Sequence, residues 1–505
     1  KVEFKIMHVR YQIALAGVLF AVVPFVVAAD GALDPGFGLA GKAHIVYPTA
    51  PGNDRLDFST HDVAVQTDGK ILVVGGLTSP TSAISSWYLA RLNSNGSLDT
   101  SFAQIGGQPF LPPTPGFMFP LGNYAQTTQA YAVAIRPDGR FVVVGTDVAS
   151  GSSASNILTK VVVLQFKSDG SLDPGFGSQG RYEILPAATD SVWVSRMQLQ
   201  SDGSIDVVGT YHQNSGAYNG NQFFFDRINA GGTSDETFRY QFGSGAGQQD
   251  QALDLGIDGQ GRYVLAGYHL GDNGNYDCAV IRVRSDLYDV DTSFGNNGQT
   301  IVAFDNGGDN NDYCDAMAIT PGSSIMIGGH GTATVGSGTY QAAIMAMLDS
   351  SGNQAYYGCA SVCQPYKLAF AYNGSPAAGQ SNQITKLLID NHDPRFPQAI
   401  AVGTGTHTGS PGGDEFAIAR MNPAGNFHID TAFNGGNVVP VDFVDCAGQF
   451  GNLITHNYAQ SAAFVAGNII AAGWTTPCTF SHDIAVTRLA KFDSIFSYGF
   501  EIPYY

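Results

Sequence analysis

Two stretches, His61-Asp-Val-Ala-Val-Gln-Thr-Asp-Gly-Lys-Ile-Leu-Val-Val-Gly75 and Tyr131-Ala-Val-Ala-Ile-Arg-Pro-Asp-Gly-Arg-Phe-Val-Val-Val-Gly145, carry one pattern. Apolar strand-forming runs flank Asp68-Gly69 and Asp138-Gly139, a dipeptide that accepts the positive φ angles of a two-residue hairpin turn. Each stretch therefore reads as a β-hairpin. The pattern returns five more times, with its closing glycine at Gly75, Gly145, Gly209, Gly267, Gly328, Gly403 and Gly473, in steps of 70, 64, 58, 61, 75 and 70 residues. Seven copies predict seven structural units.

Working outward, a third strand follows each hairpin, as in Trp87-Tyr-Leu-Ala-Arg-Leu92 and Phe416-Ala-Ile-Ala-Arg-Met421. A turn then ends in a phenylalanine plug: Leu98-Asp-Thr-Ser-Phe102, Leu172-Asp-Pro-Gly-Phe176, Val290-Asp-Thr-Ser-Phe294 and Ile429-Asp-Thr-Ala-Phe433, with Ser234 to Phe238 and Phe492 to Phe496 as variants and a degenerate fifth copy near Gly352 to Gly358. Apolar residues after the plug supply a fourth strand, so each unit is a four-stranded antiparallel blade. One blade cannot bury both faces, whereas a ring of blades can. The expected fold is all-β, a seven-bladed β-propeller. Leu33 to Phe37 and Gly41 to Tyr47 precede the first hairpin as an unattached plug and outer strand, expected to complete the last blade and close the ring. Gly499 to Pro503 is the competitor for that edge.

The Asp-Gly-Lys hairpin, the Ala-Arg-Leu-Asn strand and the Gly-Ser-Leu-Asp-Thr-Ser-Phe turn resemble the bacterial delta-60 repeat family over nearly the whole chain after residue 29. The resemblance implies a β-propeller in exported or surface proteins and carries little about molecular activity. Copies five and six depart most, with Pro321-Gly322 and Asn391 to Pro397 in place of the Asp-Gly turn.

Compartment follows from the ends and the cysteines. Met7, His8 and Arg10 precede an apolar run from Ile13 to Val27, and Val27-Ala28-Ala29 offers small residues for cleavage before Asp30. Residues 1–29 thus read as upstream residues and a signal peptide, and residues 30–505 as one propeller domain, periplasmic or secreted, with no membrane span after cleavage. With 24 Lys and Arg against 42 Asp and Glu, the chain carries a formal charge of −18, which argues against nucleic acid and anionic membranes as partners. Six cysteines in an exported chain favour disulfides, and sequence neighbourhood suggests Cys278 with Cys314, Cys359 with Cys363 and Cys446 with Cys478.

Loop lengths give the ring a polarity. From hairpin glycine to closing glycine there are 6 residues in five copies and 8 in the fourth (Gly259 to Gly267), and the turns into the plug are nearly as uniform. Gaps from plug to next closing glycine run from 29 to 43 residues, so the opposite face carries the variation expected of a binding face. His212, His269, His330 and His407 follow their hairpin glycines onto that face, and Phe117 and Phe119 stand in a Pro-rich apolar insertion that could dock a partner or cover the face. The acidic stretch Asp305 to Asp315 offers Asp305, Asp309, Asp312 and Asp315 as calcium ligands, with a polar turn as the competing reading. The repeated third-strand arginines (Arg91, Arg227, Arg282, Arg420 and Arg488) read as partners of the turn aspartates. No catalytic constellation has both spacing and context, so no cofactor other than calcium is expected. The leading expectation is a non-enzymatic binding or scaffold protein of the cell envelope, meeting a protein or glycan through its variable face. The rival is a propeller hydrolase or lyase with a metal near the axis.

Overall fold

Valine- and isoleucine-rich hairpins cannot leave two apolar faces in water, and in the computed structural model they stack as seven antiparallel sheets around an axis. The structure describes residues 30–490 apart from 48–55, 80–84, 103–113, 124–127, 150–151, 153–156, 217–218, 244–246, 287–288, 355–376, 391–397, 408–412, 423–427, 431–432, 444–455, 466 and 477–481. The innermost strands of the blades are, in chain order, Asp57–Val65, Gln129–Ile135, Ser191–Leu199, Gln251–Ile257, Asp312–Ile319, Asn382–Asp390 and Asn457–Val465. Each touches its neighbours on both sides, the seventh meeting the first. Seven separate apolar clusters fill the seven gaps between blades. Among the described residues the fifth blade shows three strands, and the others four or five.

The N-terminal strand closes the ring. Lys42–Ile45 pairs antiparallel with Asp483–Ala490 of the last blade, so that sheet joins both ends of the chain. Asp34 binds Arg488 at 2.7 Å, and the Phe37 plug is fully buried beneath the guanidinium. The plug variant at Phe492 to Phe496 and the strand at Gly499 to Pro503 lie outside the described residues.

The hairpin turns differ from the two-residue form expected. Gln66 N–H donates to Lys70 O, Gly69 N–H donates to Gln66 O, and only Gly69 has positive φ (83°), which defines a three-residue turn with a left-handed third position. The same bonds recur in the fourth blade with Gly261 (φ 77°) and in the fifth with Ser323 (φ 62°). The turn glycine of the fourth copy is therefore Gly261, not Gly259. In the fifth copy Gly329, not Gly328, is the equivalent of Gly75, since it pairs with Cys314 as Gly75 pairs with Thr60. With these corrections the spacing to the closing glycine is 6 residues in both, so this face is more uniform than the sequence suggests.

A β-bulge explains the closing glycine. Every innermost strand slips by one residue at the same place, leaving His61, Tyr131, Ser195, Leu253, Asp315, Thr385 and Gln460 without a register partner. The bulge brings a carbonyl of the inner strand over the facing glycine, where an added Cβ would lie only 1.8 Å from Gln251 O at Gly267 or from Gln383 O at Gly403. The third-strand arginines form a second repeated device. Arg91 binds Asp99 at 2.7 Å, lies 4.3 Å over Phe102 and donates to Ser168 O of the next blade at 2.7 Å. Arg282 and Arg420 bind Asp291 and Asp430 in the same way, the pairing with the turn aspartates that the sequence reading expected, and the contact with the next blade is an addition to it.

Candidate functional site

Because the described hairpin and plug turns occupy one end of their blades, the other end of the innermost strands opens among the long connections. Two residues before each bulge, at that end, the seven strands carry Ser59, Gln129, Trp193, Gln251, Tyr313, Gln383 and Tyr458 in ring order. All seven are partly exposed, while the residue that follows each of them is buried in the gap between blades. From the second blade to the seventh, amide and aromatic side chains alternate without exception. The repeat fixes the backbone at this level, and three of these amide and aromatic side chains also meet polar neighbours: Gln129 meets His61, Gln383 donates to Asp315, and Tyr458 donates to Asp414.

Further rings extend three of these aromatics. Tyr313 packs edge-on to Tyr268 (centroids 4.9 Å apart) and lies 5.3 Å from Tyr276, both on the fourth blade. Tyr458 stacks on Trp474 at 4.2 Å, and Trp474 continues to His482 at 4.3 Å. Trp193 lies 6.1 Å from His212. Between the first two blades, His61 Nε2 meets Gln129 Oε1 at 3.0 Å, and burial pushes its pKa down to about 4, which keeps the ring neutral. Toward the fixed-turn end, the axis holds a cavity of about 340 Å³ lined by Arg196, Asp254, Lys386 and apolar residues including Met197, Ile257 and Ile389. Arg196 spans the axis to donate to Thr385 O at 3.1 Å.

The sequence candidates divide. His212 binds Asn221 and Asn214; His269 binds Asp250 at 2.8 Å and stacks on Phe242; His330 binds Asp315 at 2.6 Å and stacks on Tyr313. Burial works against the His330 cation, yet the adjacent Asp315 carboxylate raises its pKa above the ordinary value. Three histidines thus sit at the variable end, each satisfied within its own neighbourhood instead of gathered on one ion. His407 ends its strand opposite Gly413, and its side chain lies outside those described. Phe117 and Phe119 do not form a docking loop. They are 2% and 3% exposed, packed against Tyr47 in the core between the last and first blades, because Phe117–Met118 pairs with the third strand as an outer strand.

Of the four acidic candidates, Asp305 and Asp312 come together, joined by Asp277 from the fourth blade. Asp309 is used instead in capping Asn311, and Asp315 in holding His330. Cys278 and Cys314 form a disulfide between the fourth and fifth blades. Cys359, Cys363, Cys446 and Cys478 lie outside the described residues. Sequence reasoning missed the amide and aromatic ring and Asp277; alignment of all seven hairpins on the bulge would have exposed the first.

The fold and this mouth define the chain as a β-propeller built from one repeated hairpin unit. The family model described as the domain of unknown function DUF5122, a β-propeller, matches residues 66–102 and 136–176, within the first two blades. No curated protein matches the chain. Solved structures similar to it include a protein of unknown function from Dyadobacter fermentans, at 9% identity over 91% of this chain and 100% of that one, TM-score 0.39. They also include an α-L-arabinofuranosidase from Fusarium graminearum (10%, 72% and 92%, TM-score 0.40) and the sialidase of Trypanosoma rangeli (9%, 89% and 59%, TM-score 0.39).

Proposed function

We propose that this chain is an exported, non-enzymatic binding or scaffold protein of the cell envelope, and that its variable face engages a glycan. The observation that carries this reading is the ring of Gln129, Trp193, Gln251, Tyr313, Gln383 and Tyr458. Aromatic faces offer amphipathic stacking surfaces, and each side-chain amide supplies both a donor and an acceptor to a hydroxyl pair. Alternating the two around an opening suits a ligand whose apolar C–H faces and polar edges also alternate. The interblade disulfide and the apolar segment before Asp30 support an oxidising, extracytoplasmic location. Among the described residues no helix is long and apolar enough to cross a membrane.

The test is a screen of the purified chain on immobilised bacterial and plant glycans, followed by Trp193→Ala and Tyr313→Ala. Binding that falls at least about tenfold in both variants, with unfolding temperature retained, supports the reading. Binding left intact in both variants, or no glycan bound at all, overturns it.

A further inference from the structure

Adjacent blades provide an internal comparison. In the gap between the third and fourth blades, Asp250 accepts Phe242 N–H at 2.9 Å with one carboxylate oxygen and His269 at 2.8 Å with the other. One gap further on, Asp312 takes the place of Asp250 and accepts Phe304 N–H at 2.7 Å and Asp305 N–H at 3.3 Å, all with Oδ2. Its Oδ1 is buried with no hydrogen-bond partner. Where the first gap has Gly243 after Phe242 and Asn221 opposite His212, the second has Asp305 after Phe304 and Asp277 opposite His269. One carboxylate has become three, and the histidine that satisfied the first has no counterpart on the third.

Oxygens of Asp277, Asp305 and Asp312 lie within 4.8 Å of one another. Asp312 is fully buried and Asp277 is 8% exposed, and Asp277 Oδ1, like Asp312 Oδ1, has no hydrogen-bond partner. Buried carboxylates with open lone pairs, crowded by a third carboxylate, are neutralised either by protons or by a cation seated among them. Gly331 makes the room, since a Cβ there would fall 2.3 Å from Asp312 Oδ1. The Cys278–Cys314 disulfide ties together the strands that carry Asp277 and Asp312, so the ligands are held before any ion arrives.

We infer that Asp277, Asp305 and Asp312 bind one calcium ion in the gap between the fourth and fifth blades. An all-oxygen, all-carboxylate set selects a hard divalent cation, and ligands drawn from two strands and a loop suit calcium's tolerant geometry more than magnesium's strict octahedron. This site is independent of the glycan reading.

The test is isothermal titration of the chelator-treated, purified chain with calcium chloride alone, and with magnesium chloride in parallel, followed by thermal unfolding with and without calcium. Asp305→Asn is the first variant because Asp305 is exposed, and Asp277→Asn is the second. The expected result is about one calcium per chain at a Kd below about 1 mM, a raised unfolding temperature, weaker binding of magnesium, and at least a tenfold loss of calcium affinity in each variant. No saturable calcium uptake below about 1 mM overturns the inference, as does uptake that both variants leave unchanged.

Discussion

At the scale of residues, the same amino acid is required for two different physical reasons. Gly267 and Gly403 are needed because the bulge lays a carbonyl where a Cβ would stand, so Gly403→Ala must push two paired strands apart. Gly139 has open space, its nearest neighbour being 3.6 Å from an added Cβ, but its φ of 86° strains any L side chain. We expect Gly403→Ala to cost roughly 3 kcal/mol or more and Gly139→Ala about 1–2 kcal/mol in denaturant unfolding. Equal losses would mean the bulge is softer than its contacts imply. Asp206 and Asp226, buried on neighbouring strands of the third blade, are pushed by burial up to about 7 and about 6. An unfolded aspartate titrates near ~3.9, so the raised values favour the protonated native state. That contribution is complete below pH ~4 and drains away as pH rises through 6 and 7. Asp226→Asn, whose amide oxygen can still accept from Ser234 and Thr237, should therefore gain stability on the wild type above pH ~7, by roughly 1–3 kcal/mol, and lose that advantage near pH ~4.

Among elements, the clasp of arginine, aspartate and plug decides how one blade holds the next. In the second blade Gln165 stands at the arginine's position and donates to Asp173 at 2.7 Å, beside Arg140, which pairs with the same carboxylate at 2.9 Å. Arg91→Gln should accordingly be mild, because Asp99 keeps Lys70 at 3.1 Å and Ser101 at 2.6 Å. Asp99→Ala should be severe, by roughly 3 kcal/mol, because it strands the buried Arg91 cation. If thermal unfolding ranked the two the other way, the clasp would owe its strength to the guanidinium's other contacts. These elements were largely legible beforehand: apolar runs, Asp-Gly turns and plug phenylalanines are local signals, and local signals survive in one sequence. Gly261, Ser323 and Gly329 were misplaced because their roles follow from register and backbone angle, which glycine spacing reports only indirectly. Asp277 escaped notice because it is 28 residues from Asp305 and reaches it only when two blades stack. Phe117 and Phe119 read as a sticky loop because an outer strand two residues long leaves no periodicity to detect.

For the whole molecule, closure depends on the first described residues. Asp30 binds Arg420 at 2.6 Å and its carbonyl accepts Asn434 N–H, Asp34 holds Arg488, and Gly38 N–H donates to Asn95 O. A segment of nine residues therefore touches the sixth, seventh and first blades. Deleting residues 30–46 would uncover the edge of Asp483–Ala490 and the two clasp arginines Arg420 and Arg488, and we expect the truncated chain to self-associate through that edge in size-exclusion chromatography. A monomer with wild-type unfolding temperature would show that the last blade needs no N-terminal strand.

The same arrangement sets a timetable for synthesis. The piece of chain that locks the ring is made before all seven hairpins, yet its partners at Arg420 and Arg488 are made some four hundred residues later. Until then it has only the first blade to hold, through Gly38 and Asn95, and every blade but the last can assemble around an open gap. Contacts this distant in sequence are intrinsically slow to form. The ring's most exposed and most aggregation-prone stage is thus the one just before closure, when the strand at Lys42–Ile45 has yet to meet the last blade.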